Sequence, residues 1–366
     1  MALTAGIVGL PNVGKSTLFN AITKAGVEAA NYPFATIEPN VGIVEVPDHR
    51  LFDITQLVKP KKTVPTTFEF TDIAGIVKGA SRGEGLGNKF LSHIRQVDAI
   101  CHVVRCFDDG NITHVSGAVD PISDIETINL ELIFADLETV DKRIARVAKL
   151  AKTKDKDAVM EMEVLEKLKE ALENNQLANS VEFYDEQLPF VRNLFLLTRK
   201  KMLYVANIGE EEVADPSDNP YLAKVEALAK EQGAEVVPVC ARLEEEIAEL
   251  DDEEKAVFLE DYGLKESGLD RLIQKAYSLL GLATYFTAGE QEVRAWTFRL
   301  GMKAPQAAGV IHSDFERGFI RAETVSYDDL MKYESMVKAK EAGRYRSEGK
   351  EYEVKDGDIM LFRFNV

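Results

Sequence analysis

Short apolar runs alternate with amphipathic helical patterns through the first two thirds of the chain. These runs occupy residues 5–8, 67–71, 99–106, 202–206 and 235–239. Apolar segments of this length between helical stretches are typical of strand–helix–strand units around a mostly parallel sheet. The pattern therefore predicts an α/β fold whose first strand begins almost at the first residue.

The hydrophobic period changes between the third and the fourth of these runs. Apolar residues there alternate in steps of three and four, at Leu130, Ile133, Leu137, Val140, Ile144, Val147 and Ala151. This heptad spacing predicts a long helix with a coiled-coil seam. After a polar break at residues 153–157 a second helical stripe follows, at Ala158, Met162, Leu165, Leu168 and Leu172. We interpret residues 125–200 as a coiled-coil hairpin inserted into the α/β domain.

The last part of the chain has a third pattern. Strand-like segments at residues 295–300, 319–325, 352–354 and 359–364 alternate there with short helical pieces. This mixture predicts a small α+β domain over residues 283–366. The α/β domain then takes residues 1–282, interrupted by the hairpin.

Composition narrows the possible functions. The 366 residues include 44 Lys and Arg against 62 Asp and Glu, a net charge of −18. A uniformly basic surface is excluded, so any nucleic-acid contact must be local, and we expect no DNA partner.

The three cysteines form no disulfide framework or zinc pattern, and we interpret the acidic block at residues 244–254 as solvated. Without a candidate membrane span or secretory leader, we expect a cytoplasmic protein with no membrane partner.

A phosphate-binding motif directly follows the first predicted strand. Residues 9–16 read GLPNVGKS, match G-x-x-x-x-G-K-[ST] and are followed by a helical pattern. The glycines let backbone N–H groups turn toward phosphate oxygens, Lys15 adds charge at the β and γ phosphates, and Ser16 can bind Mg²⁺. We assign nucleotide binding in this segment to Asn12, Val13, Gly14, Lys15, Ser16 and Thr17.

Two later loops carry the residues that sense a γ-phosphate. Thr36 lies in a polar loop at residues 31–40, and Asp72 and Gly75 belong to an Asp-x-x-Gly motif. Thr36 and Asp72 join Ser16 as candidate Mg²⁺ ligands. The Gly75 N–H can reach the γ-phosphate, which places Gly75 beside Lys15 in the catalytic set. Glycines at positions 79, 83, 85 and 87 predict a loop that nucleotide orders.

The segment that would read the base differs from that of an ordinary GTPase. Guanine-specific proteins carry Asn-Lys-x-Asp after a strand, and the Asp accepts two protons of guanine. Here the run at 202–206 is followed by Asn207, Ile208, Gly209 and Glu210. Loss of the Lys and the Asp weakens the clamp on guanine, whereas the Asn207 oxygen can accept from the N6 amino group of adenine. An ordinary polar strand end is the alternative.

Together these motifs resemble the YchF/Obg-like ATPase family over the whole chain. The run at residues 310–323, VIHSDFERGFIRAE, resembles the TGS domain of that family, a ubiquitin-like β-grasp. The resemblance implies a P-loop G domain that prefers ATP, a coiled-coil arm, a TGS domain and association with the ribosome. It also implies a backbone contact to the base from Cys240 and Ala241, because related G domains carry Ser-Ala-Lys where this chain has Cys-Ala-Arg.

Local positive charge indicates where ribosomal RNA would be bound. Residues 142–156 of the predicted arm hold seven cations against one acid, Asp155. A second basic cluster lies in the C-terminal domain, at Lys338, Lys340, Arg344, Arg346 and Lys350. We predict the arm and the TGS domain as the contacts with the ribosome and its RNA. Ordinary solvated faces are the alternative for both clusters.

Single residues carry two further details. Ile76 replaces the glutamine that orients the attacking water in Ras-type proteins. Among the five histidines, His114 lies in the loop at residues 107–121, at the sheet edge where ligands of parallel sheets bind. We predict that His114 orients or deprotonates the water and that its loop is mobile; a plain exposed histidine is the alternative. Asn12 occupies the position that binds K⁺ in potassium-activated relatives, or else it is only a turn residue.

Two functions of different classes fit these residues. The first is a Mg²⁺-dependent NTPase that hydrolyses ATP in preference to GTP and acts at the ribosome as a translation or stress factor. The second is a nucleotide-gated ribosome or RNA interaction module with little hydrolysis, and a GTPase is a further alternative.

Overall fold

The computed structural model describes residues 3–26, 40–73, 86–114 and 117–365, which belong to two compact units. The first unit takes Met1–Gly42 and Glu69–Leu272, and the second takes Ile43–Phe68 and Ile273–Val366. Thr36, Gly75 and Ile76 lie outside the described residues, as do the glycines at 79, 83 and 85.

The strands, numbered along the chain, are β1 (Thr4–Val8), β2 (Val41–Glu45), β3 (Lys62–Val64), β4 (Thr67–Asp72), β5 (Ala99–Arg105), β6 (Lys201–Asn207), β7 (Glu235–Val239), β8 (Leu282–Ala288), β9 (Glu292–Arg299), β10 (Phe319–Ser326), β11 (Arg346–Glu348) and β12 (Asp358–Phe364). The helices are α1 (Lys15–Lys24), α2 (His49–Val58), α3 (Leu86–Gln96), α4 (Pro121–Ala151), α5 (Lys156–Glu173), α6 (Leu188–Arg192), α7 (Pro220–Gln232), α8 (Ala241–Ile247), α9 (Asp252–Asp261), α10 (Gly268–Leu279), α11 (Ala304–Ile311), α12 (Ser313–Arg317), α13 (Tyr327–Tyr333) and α14 (Met336–Glu341).

The first sheet confirms the predicted α/β fold. Its strand order is β2-β4-β1-β5-β6-β7, and β1 pairs in parallel with β4 on one side and β5 on the other. β5 with β6 and β6 with β7 are also parallel, and every residue of β5 is buried. Because the chain leaves β1 for opposite sides of the sheet, the loops at the carboxyl ends of these strands enclose the crevice where ligands of such sheets bind.

The predicted hairpin is formed by α4 and α5. Asp120 and Asp155 cap the two helices, each accepting a backbone N–H of the first turn. The seam contains the predicted helical-stripe residues except Leu130 and Met162, which are half-buried outside this core cluster. Its buried positions in α4 are Ile133, Val140 and Val147, with Leu137, Ile144 and Ala151 packed against them. Those in α5 are Ala158, Leu165, Leu168 and Leu172.

The carboxylate of Asp136 ties α4 to the chain that returns from the hairpin. It accepts the N–H groups of Leu197 and Thr198, each at 2.8 Å, and the Thr198 hydroxyl at 2.7 Å. Burial raises the pKa of Asp136, while these hydrogen bonds oppose that rise. The contacts hold the short turn Leu197–Arg199, which leads directly into β6, so the hairpin and the first sheet are joined by a buried polar contact.

The second unit is built on a sheet of order β11-β10-β12-β8-β9-β3. β8 pairs antiparallel with β9, and β10 does so with β12, while β3 adds to the edge in parallel with β9. Leu51 and Ile54 of α2 are buried in its core. Residues 43–68 therefore extend this unit beyond the predicted α+β domain, because β3 and α2 complete its sheet and core.

One predicted strand is wrong. Residues 352–354 form no strand, and Glu353 makes only an isolated bridge with Lys303. Across the parts of the chain that the structure describes, none of the helices has the length and apolar character that a membrane span requires.

Candidate nucleotide-binding site

The phosphate-binding loop leaves β1 at the centre of the first sheet. Gly14 has a φ of +95°, a conformation that side chains rarely adopt, and a Cβ atom there would lie 2.1 Å from Asn207 Nδ2. Asn12 is also left-handed, with a φ of +64°, which asparagine tolerates better than most residues. The loop opens into the first turn of α1, formed by Lys15, Ser16 and Thr17. Free N–H groups at such a helix start attract anions.

Lys15 and Asp72 face each other beside this loop. The ammonium of Lys15 donates to Asp72 Oδ1, and the side chains are only 12% and 25% exposed. An ammonium, the Ser16 hydroxyl, a carboxylate and helix N–H groups form a set that fits a Mg²⁺–nucleotide. Within the described ranges no cluster of three His, Cys, Asp or Glu offers a metal site of its own.

The side chain of Asn207 joins the phosphate loop to the segment after β7. Asn207 Nδ2 donates to the Val13 carbonyl at 2.9 Å, and its Oδ1 accepts the Ala241 N–H at 3.0 Å. Asn207 is 5% exposed and Val13 1%. The Asn207 oxygen thus accepts a protein donor inside the core, and its predicted role as the acceptor from adenine N6 stays a prediction. The Asn207 side chain links the phosphate loop to the start of α8.

The rest of the predicted base segment is held by the protein in a similar way. Ile208 is buried, and its N–H donates to the Val239 carbonyl at 3.0 Å. The Ala241 N–H, predicted to contact the base, is committed to Asn207. Cys240 is buried, which raises the pKa of its thiol. Glu210 is half-buried, and Tyr262 donates its hydroxyl to Glu210 Oε1 at 2.7 Å. The predicted contact of its carboxylate with a base stays a prediction.

Arg105 organises the loop that follows β5. This side chain is 1% exposed, and its guanidinium donates to three carbonyls, those of Phe107, Asp109 and Ile112, at 3.0–3.1 Å. It also lies 4.7 Å from the centre of the Phe107 ring. These contacts tie residues 107–112 together, and the mobility predicted for the loop stays a prediction. The sequence signal for this role is the presence of a cation, Arg105, inside the apolar run at 99–106.

The loop meets both the phosphate loop and the start of the arm. Asn12 Nδ2 donates to the Thr113 carbonyl at 3.1 Å. The next residue, His114, is 6% exposed, and its Nε2 lies 2.9 Å from Asp124 Oδ2 in the first turn of α4. Burial raises the pKa of Asp124, and the bond to His114 opposes that rise. His114 is therefore a fixed, buried histidine, and the alternative of a plain exposed one is wrong.

A second group of polar contacts holds this loop from the side of α7. Asn219 Nδ2 donates to the Cys106 carbonyl and to Glu212 Oε2, both at 2.8 Å. The Tyr221 hydroxyl donates to the Asp108 carboxylate at 2.9 Å. Local sequence does not reveal these contacts, because Asn219 also serves as an ordinary N-cap of α7 and the loop residues that Asn219 and Tyr221 contact lie 113 residues away. The segment after β6 and the loop after β5 are thus held together beside the phosphate loop.

These features define a P-loop nucleotide-binding domain of the G-domain class, and comparison with known proteins agrees. A family described as "50S ribosome-binding GTPase" matches residues 4–162, and the YchF-GTPase C-terminal family, described as of unknown function, matches residues 282–365. The ribosome-binding ATPase YchF of Bacillus subtilis is 73% identical, and that of Escherichia coli O157:H7 is 57% identical, each over the full length of both chains. The chain belongs to the YchF family.

A solved structure gives the same result at the level of the fold. The YchF GTPase of Schizosaccharomyces pombe is 42% identical, with a TM-score of 0.88, over 99% of this chain and 97% of that one. The relatives thus carry both names, ATPase and GTPase, so the choice of base has to be tested on this chain.

The Arg105 contacts predict a local loss of protection when the guanidinium is removed. In Arg105→Lys one ammonium cannot reach three carbonyls, so about two hydrogen bonds are lost, each worth about 0.5–1.5 kcal/mol. We expect the amide hydrogens of Asn111 and Ile112 to exchange at least tenfold faster in hydrogen–deuterium exchange. Arg242→Lys, at a side chain 78% exposed, is the control and should change nothing. Unchanged exchange in Arg105→Lys would show that the loop holds its shape without the clamp.

Proposed function

We propose that this protein is a Mg²⁺-dependent ATPase that works at the ribosome. The pairing of Lys15 with Asp72 beside a left-handed Gly14 is the observation that supports it most. These groups are the natural partners of the two components of Mg²⁺–ATP, the phosphates and the hydrated metal. The printed names of the bacterial relatives, ribosome-binding ATPases, support the activity and the partner. Work at the ribosome is consistent with a cytoplasmic protein.

Different residues of the chain would carry out different parts of phosphate transfer. Lys15 and the N–H groups of the loop hold the β and γ phosphates and stabilise the charge that grows on them during the reaction. Ser16 and Asp72 would hold Mg²⁺, with Thr36 proposed as a third ligand, and a bound metal would neutralise negative charge on the phosphates. Gly75 is proposed as an N–H donor to the γ-phosphate.

We assign the positioning of the attacking water to His114. Asp124 fixes the imidazole through Nε2, and a histidine held in this way can orient water or take its proton. The contact between Asn12 and Thr113 brings the loop against the phosphate loop, which supports the assignment. The alternative function, a nucleotide-gated module with little hydrolysis, has no use for such a residue.

Single-turnover hydrolysis with and without ribosomes tests the activity and the role of His114 together. We expect wild-type hydrolysis above the level of heat-denatured protein. His114→Ala should bind ATP within about threefold of wild type and turn over 10²-fold or more slowly, the range for loss of a positioned acid–base group. His312→Ala, at an exposed histidine of the second unit, is the control. Background rates in wild type would favour the interaction module, and a wild-type rate in His114→Ala would remove His114 from the mechanism.

We also propose that ATP binds more tightly than GTP, because Glu210 and Ile208 replace the two residues that grip guanine. Titration of the protein with both nucleotides measures this directly. Glu210→Asp should raise GTP affinity, since it restores the shorter carboxylate, whereas Ile208→Lys would bury an ammonium and is avoided. Tyr262→Phe frees the Glu210 carboxylate without changing its length and is the matched control. A wild-type preference for GTP of tenfold, about 1.4 kcal/mol, would contradict the proposal.

A monovalent cation is a further proposal. Asn12 gives its Nδ2 to Thr113, so its Oδ1 is the atom proposed to bind K⁺ beside the phosphates. Turnover in KCl should exceed turnover in NaCl at equal ionic strength, and Asn12→Gly, which keeps the left-handed turn, should abolish the difference. Equal rates of the wild type in both salts would leave Asn12 with the turn role alone.

Ribosome association is proposed to use the coiled-coil arm and the TGS domain. The cations at residues 142–156 support the arm, and those at residues 338–350 support the C-terminal unit. A globally acidic protein needs such local charge to approach RNA. The biological use of the nucleotide cycle, in translation or in stress, stays a prediction.

A further inference from the structure

A cleft on the arm has the composition of a site for nucleic acid. It measures about 440 Å³ and lies where α4, α5 and the end of α6 meet. Its polar lining is Thr139, Lys142, Arg143, Arg146, Glu161 and Asn193. Three cations against one carboxylate make it locally positive in a protein whose net charge is −18. Phosphate groups are the ligands that such a cleft attracts.

The three cations lie on one face of α4 and are available to a ligand to different degrees. Arg143 uses Nε to donate to Glu161 Oε1 at 2.6 Å, which orients the guanidinium while its terminal nitrogens have no protein acceptor among the described residues. Lys142 pairs with Glu138, but both side chains are more than 60% exposed, and pairs of that kind exchange readily for other partners. Within the same part of the chain Arg146 has no ion pair.

An exposed aromatic residue stands next to this cleft. Phe195 directly follows Leu194, which lines the cleft, and Phe195 is 81% exposed. Its φ is +49°, an unfavourable conformation for a bulky residue. The neighbours on both sides, Leu194 and Leu196, are buried in the core of the hairpin. The backbone is therefore fixed on either side, and the ring is held out of the core at a conformational cost.

We infer that this cleft binds an unpaired nucleotide of RNA, with the base stacked on Phe195 and the adjoining phosphates on Lys142 and Arg146. Stacking on an aromatic ring beside cations that follow the backbone is how single strands are held without sequence preference. Thr139 and Asn193 add hydrogen-bonding groups within the cleft. The choice of RNA over DNA rests on the proposed association with the ribosome, whereas the site itself is argued from the charge, the cleft and the exposed ring.

The test measures binding of the full-length protein to a fluorescein-labelled eight-nucleotide single-stranded RNA of mixed sequence, by anisotropy at several salt concentrations. Phe195→Asn keeps a residue that tolerates the left-handed backbone and should weaken binding about tenfold, the scale of one lost stack. Phe195→Tyr should bind as wild type does. Arg146→Gln should weaken binding and reduce the slope of log affinity against log salt by about one phosphate contact.

Two control variants and one comparison make the outcome decisive. Tyr184→Ala removes another exposed aromatic residue of unit 1, and Arg242→Gln removes another exposed cation; neither should change binding. Unchanged binding in both Phe195→Asn and Arg146→Gln would overturn the inference. If only Arg146→Gln loses RNA binding, the inference is also overturned, because the cleft would then bind a phosphate without a base stacked on Phe195.

Failure of the proposed function gives a different result from failure of this inference. If the protein does not act at the ribosome, the wild type will not co-sediment with ribosomes, yet the oligonucleotide measurement is unaffected. Changing Lys149, Lys152, Lys154 and Lys156 to Glu tests the tip of the arm in the same co-sedimentation assay. Retained oligonucleotide binding by that variant would place the stacked nucleotide in the cleft rather than at the tip.

Discussion

The carboxamide of Asn207 sets the geometry on which the nucleotide site depends. It spans from the Val13 carbonyl to the Ala241 N–H, and so fixes the phosphate loop against the start of α8. Both partners are buried backbone groups, and each would cost about 1–3 kcal/mol if left without a hydrogen bond. The same side chain fills the space that a Cβ atom at Gly14 would need. Asn207 and Gly14 therefore depend on each other: the asparagine makes the hydrogen bonds, and the glycine leaves the space that the asparagine side chain occupies.

Around this contact the protein satisfies the backbone of its loops with buried side chains. Arg105 serves three carbonyls of the loop after β5, and Asn219 serves the Cys106 carbonyl at the root of that loop. Asp136 does the same for the N–H groups that enter β6. Loops of a parallel sheet lack ladder partners, so each needs donors and acceptors from elsewhere. Several polar residues around the site therefore serve the backbone of its loops, whereas the nucleotide contacts of Lys15, Ser16, Asp72 and Glu210 stay a prediction.

Periodicity and motifs were sufficient for the long elements. The heptad residues predicted both arm helices, and five apolar runs predicted five strands of the first sheet, since burial on both faces leaves an uninterrupted apolar run. β2, β3, β8 and β11 were missed. β2, β3 and β11 are edge strands of three to five residues, which carry little period. β8 is an interior strand of the second sheet, and its apolar residues follow those of α10 almost without a break. Glu244 was misjudged for another reason: it lies in an acidic block but is 2% exposed and accepts the Gly268 N–H at 2.7 Å. Pairing of a buried polar group with a distant backbone group leaves no trace in local sequence.

The contact between His114 and Asp124 is likewise invisible in local sequence. It joins the loop after β5 to the start of α4, which no single motif includes. Asp124 lies in the first turn of α4, so a movement of the loop after β5 acts directly on the start of the arm. From Asp124 to Arg146 that helix rises by roughly 33 Å at about 1.5 Å per residue. A continuous helix packed along its seam moves as one body, and the nucleotide edge and the arm cleft therefore share an element. Such a connection couples two sites only if each ligand favours the same position of the helix, because coupling is a difference in binding free energy between two arrangements. The contact of Thr113 with Asn12 supplies the other half of the connection, since it joins that loop to the phosphate loop.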